Sequence, residues 1–181
     1  MLREEAVVRL VEVFRQYGYD GATLARLSNA TGLGKASLYH HFPNGKEEMA
    51  AAVLDYLKLK LEEGMLVPLR SPIAPIDRLL TMAHSVDAYY NHGQRACLLA
   101  MLALGEANDI FHEQIQQALN VWIDALAGVA IDAGVEAATA RQRAEDAILQ
   151  IQGSLILAKG LGDTAPFQRV LAALPDTLLT A

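Results

Sequence analysis

The sequence predicts an all-α chain, with a small three-helix head carrying a helix-turn-helix and a larger helical body behind it. Three observations carry that expectation. Apolar residues recur at spacings of three and four over most of the 181 residues. Glycines and prolines fall where those periodic runs end, as helix stops do. No segment has the strict alternation of a half-buried strand, and no sequence repeat or low-complexity tract interrupts the pattern.

Taken in order, Val7, Leu10, Val11, Phe14 and Tyr17 form the apolar face of a first helix, and Gly18 stands where it should stop. Thr23 caps a short second helix with Leu24, Leu27 and Ala30 on one face, and Gly32 ends it. A third runs from about Lys35 to His41 and stops ahead of Pro43. Asn44 and Glu47 have capping-box spacing and open a long helix that turns Met49, Val53, Tyr56, Leu57 and Leu61 inward. The stretch 67–75 holds Pro68, Pro72 and Pro75 and reads as a linker between domains. Further helices are expected at roughly 75–92, 95–105, 108–133, 137–161 and 165–179, with Gly134 and Gly162 as stops. The functional division drawn from this pattern is a helix-turn-helix head at 1–46 and a helical body at 47–181.

Composition narrows the class. Apolar residues make up 52% and charged residues 20%, so the chain can bury a core. No apolar run reaches the ~18 residues of a membrane span. The first residues pass directly into an amphipathic pattern, which points away from a signal peptide. Cys97 is the only cysteine, so no intrachain disulfide can form, which suits a reducing cytoplasm. The net charge of −6 is uneven. Residues 1–60 carry eight Lys/Arg against seven Asp/Glu, while residues 61–181 carry seven against fourteen. Any contact with phosphates must therefore come from the first 60 residues.

The informative segment is 23–46, TLARLSNATGLGKASLYHHFPNGK. Two short helices meet at Gly32-Leu33-Gly34, where glycine permits the positive φ of a sharp turn. Leu27, Ala30, Leu33, Leu38 and Phe42 can pack as the small core that sets the angle. That leaves Lys35, Ala36, Ser37, Tyr39 and His40 outward, a short, polar and partly cationic set of the kind that enters a DNA major groove.

Gly32-Leu33, Ser37-Leu38-Tyr39, His41-Phe42 and Lys46 together resemble the TetR/AcrR signature of bacterial repressors. The segment GKASLYHHFPNGKEEM at 34–49 and the tail at 157–175, with Gly162-Asp163 and Pro166-Phe167-Gln168-Arg169-Val170-Leu171, are similar to the LmrA/YxaF-like branch. The resemblance implies roles position by position. Lys35, Ser37 and His40 would approach base edges or nearby phosphates, with Ala36 beside them. The Tyr39 hydroxyl and Lys46 would each meet a phosphate, and Thr23 would offer its hydroxyl and backbone N–H to the DNA backbone. One departure is that only Arg3 precedes the first helix, which makes minor-groove reading by a basic arm doubtful.

Other chemistries find little support. His40 and His41 are adjacent and point ~100° apart on a helix, too far to share one ion, so no metal is expected. His112-Glu113 lacks the second His of a zincin, since Gln116 stands there. Gly45-Lys46 is followed by Glu47 and not by the Ser/Thr of a P-loop. No catalytic constellation and no cofactor is expected, and Cys97, among Leu98, Leu99 and Met101, reads as a small buried hydrophobe.

In the body, Tyr56, Met82, His84 and Tyr89, with Met101, Phe111, Trp122 and Gln150, are candidate lining for a small hydrophobic effector. The resemblance implies a homodimer on double-stranded DNA, and two-fold pairing would double the site read by one short helix. The expected interface is Ala144, Ala147, Ile148, Ile151, Leu155 and Ala158 on one helix with Phe167, Val170, Leu171 and Leu174 on the last. The expected switch is an effector that tilts the long helix and moves two heads out of register with successive grooves. The rival readings are a helical-bundle enzyme or hydrophobic-ligand carrier without DNA binding, and a plain protein-interaction module.

Overall fold

The computed structural model describes residues 2–180. Its helices are α1 (Arg3–Gly21), α2 (Leu24–Thr31), α3 (Lys35–His41), α4 (Lys46–Leu61), α5 (Val67–Leu69), α6 (Pro75–Tyr89), α7 (Leu98–Leu102), α8 (Glu106–Asp132), α9 (Ala137–Leu161) and α10 (Ala165–Leu179). No strand occurs among the described residues, so the chain is all-α. Two compact units are present. One holds the chain up to Leu59 together with Leu98–Gln116, and the other holds Lys60–Cys97 together with the chain from Gln117 onward.

The first unit closes around Leu10, Phe14, Leu27, Leu38, Phe42 and Met49, all fully buried, with α1 packed on α2 and α7. Gly18 does interrupt α1, at φ 64 and ψ −176, but one more turn follows it. That turn buries Tyr19 and leaves Tyr17 39% exposed, the reverse of what an unbroken helical face predicts. Tyr19 stacks on Phe14 at 6.3 Å between centroids and meets Phe111 edge-on at 6.1 Å. At the start of α4 the carboxylate that reaches back is Glu48 and not Glu47: it accepts the Asn44 N–H at 3.0 Å.

In the second unit, the proline-bearing stretch 67–75 is not a boundary between units. After α4, one wider turn at Glu62–Leu66 lets the Val67 N–H reach the Glu62 carbonyl. Pro68 lies in the first turn of α5 and Pro75 in the first turn of α6, where a missing N–H leaves nothing unsatisfied. α9 opens on Glu136, whose carboxylate accepts the N–H groups of Ala138 and Thr139 at 3.0 Å each, and closes on Gly162. α10 packs on α9 and α6. Gln168 donates to Asp87 at 2.7 Å, and Asp87 also holds His92 at 2.7 Å, which clasps the end of α6 to α10.

The residues expected at a dimer interface have another use. Ala144, Ala147, Ile148, Ile151, Leu155 and Ala158 on α9, and Phe167, Leu171 and Leu174 on α10, are buried within the single chain. Of that set only Val170 is half-exposed. The physical reason is competition: the most apolar stripe of a helix is taken first by the chain's own core. What remains outward on α9 is a second stripe, with Leu149, Ile156, Leu157 and Leu161 between 54% and 70% exposed.

Candidate nucleic-acid interface

Side chains build the turn between α2 and α3. Thr23 accepts the Arg26 N–H at 3.4 Å and opens α2. Gly32 ends it in the left-handed region at φ 71, with its N–H on the Ser28 carbonyl at 2.9 Å. Thr31, buried, donates its hydroxyl to the Leu27 carbonyl and accepts the Leu33 N–H. Ser28 donates to the Leu33 carbonyl, and Arg9 of α1 donates to the Thr31 carbonyl at 3.0 Å. Gly34, by contrast, has φ −66, an ordinary value for any residue. The turn therefore needs one glycine for its conformation and several hydroxyls for its rigidity.

The seven residues of α3 spend one side chain on the core: Leu38 is fully buried. Lys35, Ala36, Ser37, Tyr39 and His40 are exposed, and so is Thr23 at the start of α2. Tyr39 lies over Gly45, where the backbone has φ +69 and a Cβ would come 3.3 Å from the ring. The absence of a side chain at 45 is what lets the ring rest on the corner between α3 and α4 with 43% of the residue still exposed.

Lys46 is the exception among the sequence-picked residues. It is half-buried, its ammonium donates to the Tyr19 carbonyl at 3.2 Å, and it sits 4.1 Å from the Tyr19 ring centroid. Burial, then the carboxylates of Glu47, Glu106 and Asp20, push the Tyr19 hydroxyl above its ordinary value and keep the ring neutral. Lys46 is thus a strut from α4 to α1. Arg3 is no mobile arm either. It begins α1, donates to the His41 carbonyl at 3.3 Å, pairs with Glu48 at 3.4 Å and lies 4.8 Å from the Phe42 ring centroid.

Sequence reading passed over Arg26. It is exposed beside Thr23, held by a bond to the Gly21 carbonyl at 2.6 Å and by the Tyr17 ring at 4.2 Å. Its place three residues after a helix cap was the available signal, since a helix N-terminus with a cation beside it suits an anion. His40 and His41 meet edge-on with centroids 5.7 Å apart, and among the described residues no group of three His, Cys, Asp or Glu is placed for a metal.

The residues expected to line one effector pocket are dispersed. Tyr56, Met101 and Phe111 belong to the first unit, and Met82, His84, Tyr89, Trp122 and Gln150 to the second. His84 is exposed, on the outer face of α6. Gln150 lies on the outer furrow between α9 and α10. Phe111 is spent on Tyr19, while Met82 and Trp122 are fully buried, the Trp122 Nε1 without a hydrogen-bond partner. Cys97 is buried and accepts the Tyr90 hydroxyl at 3.3 Å.

Residues 9–53 match the family model for bacterial regulatory proteins of the tetR family. Residues 72–173, more than half the chain, match that for the C-terminal domain of LmrA/YxaF-like transcriptional regulators. The chain belongs to the TetR family, in its LmrA/YxaF-like branch. This regulator is 20% identical over 181 residues to the HTH-type transcriptional regulator LmrA of Bacillus subtilis, covering 97% of this chain and 96% of that one. Over 59 residues it is 32% identical to IcaR of Staphylococcus aureus, a negative regulator of a biofilm operon, covering 31% of this chain and 32% of that one. Its fold is that of a TetR transcriptional regulator from Legionella pneumophila, with a TM-score of 0.85 and 21% identity over 98% of this chain and 97% of that one. Like its family, the protein is a DNA-binding regulator of transcription and not an enzyme. Among the described residues no helix is long and apolar enough to cross a membrane.

Proposed function

We propose that this regulator is a cytoplasmic, dimeric repressor that reads a two-fold operator and is released from it by a small, largely apolar effector. The observation that carries the DNA side is the face of α3. With Leu38 buried, Lys35, Ser37 and His40 lead toward base edges, Ala36 allows close approach, and Tyr39, Thr23 and Lys46 meet the backbone. Head and body are functional divisions, 1–46 and 47–181, laid over the two compact units. Retardation of DNA from the regulator's own upstream intergenic region tests the reading. Specific retention in the presence of excess random DNA is expected, and its absence across salt concentrations would refute it.

The dimer rests on the outward stripe of α9. Leu149, Ile156, Leu157 and Leu161 are exposed, and between them Gly153, in mid-helix, and Gly160, in the last turn, have nothing within 4 Å of a Cβ. A mid-helix glycine costs about 0.5–1 kcal/mol relative to alanine, and no neighbour within the chain calls for it. A second α9 crossing closely at these glycines does. The furrow of about 420 Å³ between α9 and α10, with Gln150, Arg169 and Val170 on its walls, extends the same face. Sedimentation at micromolar concentration should give a dimer, and a monomer there would overturn this assembly. Effector and DNA then bind antagonistically, each lowering the affinity of the other by the same factor.

A further inference from the structure

We propose that the groove between α1 and α4 in the first unit binds an amphipathic organic cation. The groove encloses about 610 Å³, the size of a site for a drug-like molecule. Its apolar walls are left uncovered: Val8 is 49% exposed and Leu59 62% exposed, with the half-buried Tyr56 ring between them. Its charged lining is acidic. Glu4, Glu5 and Asp55 stand on it. Asp55 keeps Lys58 only at 3.8 Å, with 76% of its side chain exposed, and Glu5 accepts the Leu2 N–H at 2.9 Å. The one cation in the lining is Arg3, and its guanidinium is already engaged by the His41 carbonyl, Glu48 and the Phe42 ring.

This charge pattern selects the occupant. Phosphates and anionic metabolites meet three carboxylates and no uncommitted cation in the lining. A second copy docked two-fold on this groove would set the same carboxylates against themselves. An apolar body carrying a protonated or quaternary nitrogen satisfies both halves: its body covers Val8 and Leu59, and its charge faces Asp55 and Glu4 with the Tyr56 ring in reach. Arg3 links the groove to the recognition helix, because its guanidinium holds the last carbonyl of α3. A cation arriving beside it repels that guanidinium and loosens the clamp. The groove is thus an effector site on the DNA-binding unit itself. The linkage rests on the reading that α3 contacts DNA, whereas the binding does not.

Tetraphenylphosphonium and tetraphenylborate, nearly equal in shape and opposite in charge, are the probes, titrated calorimetrically into the full chain. The cation should bind at least about tenfold more tightly than the anion. Glu4→Gln with Asp55→Asn should weaken the cation about tenfold. Val8→Arg, which places a tethered cation in the groove, should abolish its binding while circular dichroism and the melting temperature stay at wild-type values. Equal binding of both probes, or cation binding that survives both variants, overturns the site. In DNA retardation the phosphonium should release wild-type protein at concentrations that leave the Glu4→Gln, Asp55→Asn protein bound. Binding without release overturns the linkage alone. Failure of every protein to hold DNA, with the calorimetry as expected, overturns the reading of α3 and leaves the site standing.

Discussion

The outward faces of α3 and α9 are both unoccupied in the single chain, yet they are made of opposite materials. α3 presents Lys35, Ser37, Tyr39 and His40, which water solvates well. α9 presents Leu149, Ile156, Leu157 and Leu161 around two glycines, a surface that water solvates poorly. One face suits a partner that comes and goes, and the other a partner that stays. The same contrast separates the interactions at stake: charge and hydrogen bonds, which salt screens, against apolar area and close packing, which it does not.

The comparison breaks first where its apolar side is charged. Ile156→Glu with Leu157→Glu should raise the dimer dissociation constant by at least about a hundredfold, because carboxylates would be buried unpaired in each copy. Sedimentation would show a monomer, with helicity unchanged since both residues are exposed in the chain. Next, Gly153→Leu should have two effects of opposite sign. The dimer should weaken by about tenfold or more, while α9 in dilute monomer gains about 1 kcal/mol of helix stability. Both are readable from melts at two protein concentrations, and stabilisation at both would mean the helices never approach there.

On the polar side the expected effects are smaller. Lys35→Ala should weaken operator binding a few-fold, and more than binding to random DNA, because a base-edge contact carries sequence information. Tyr39→Phe should instead weaken operator and random DNA alike, about two- to tenfold, without altering stability. Unchanged affinity in a retardation titration would remove either residue from the interface. Smallest is the acid response of α9. Its cap, Glu136, has a carboxyl held below the ordinary value by the N–H groups of Ala138 and Thr139. Being depressed in the folded state, it contributes stability in full above the ordinary carboxylate range, and the contribution fades as pH falls through the folded value. Glu136→Gln should lower stability at neutral pH and flatten that part of the acid unfolding curve, so that the two proteins converge at acid pH.

How much of this the sequence carried follows the same contrast. The boundaries of α9 and α10, the cap at Thr23, the stop at Gly32 and the buried Leu38 were legible because each is a local matter of period and cap chemistry. The exposed set on α3 was legible for a related reason: a seven-residue helix has one inward residue and little ambiguity. Periodicity cannot say which of two apolar stripes the core will take. It therefore assigned Ile151 and Leu155 to a partner when the chain uses them itself, and passed over Ile156 and Leu157. Lys46 looked like a plain phosphate contact because nothing in sequence brings Tyr19, 27 residues earlier, against its ammonium. Tyr56, His84 and Trp122 looked alike as soft or aromatic residues, and only tertiary packing sets them on a groove, on an outer face and in a core.

Position 45 carries a genetic consequence. A Cβ at 45 would crowd the Tyr39 ring at 3.3 Å, on a backbone whose φ of +69 strains any side chain. Substituting that glycine therefore displaces the tyrosine without altering any residue of the proposed DNA-facing set. A selection for mutants that have lost operator occupancy would return changes at 45 beside those at Lys35 and Tyr39. A second change to a smaller side chain at position 39 should not restore occupancy, because it relieves the crowding only by removing the Tyr39 hydroxyl. A buried glycine would then behave, allele for allele, like a member of the recognition surface.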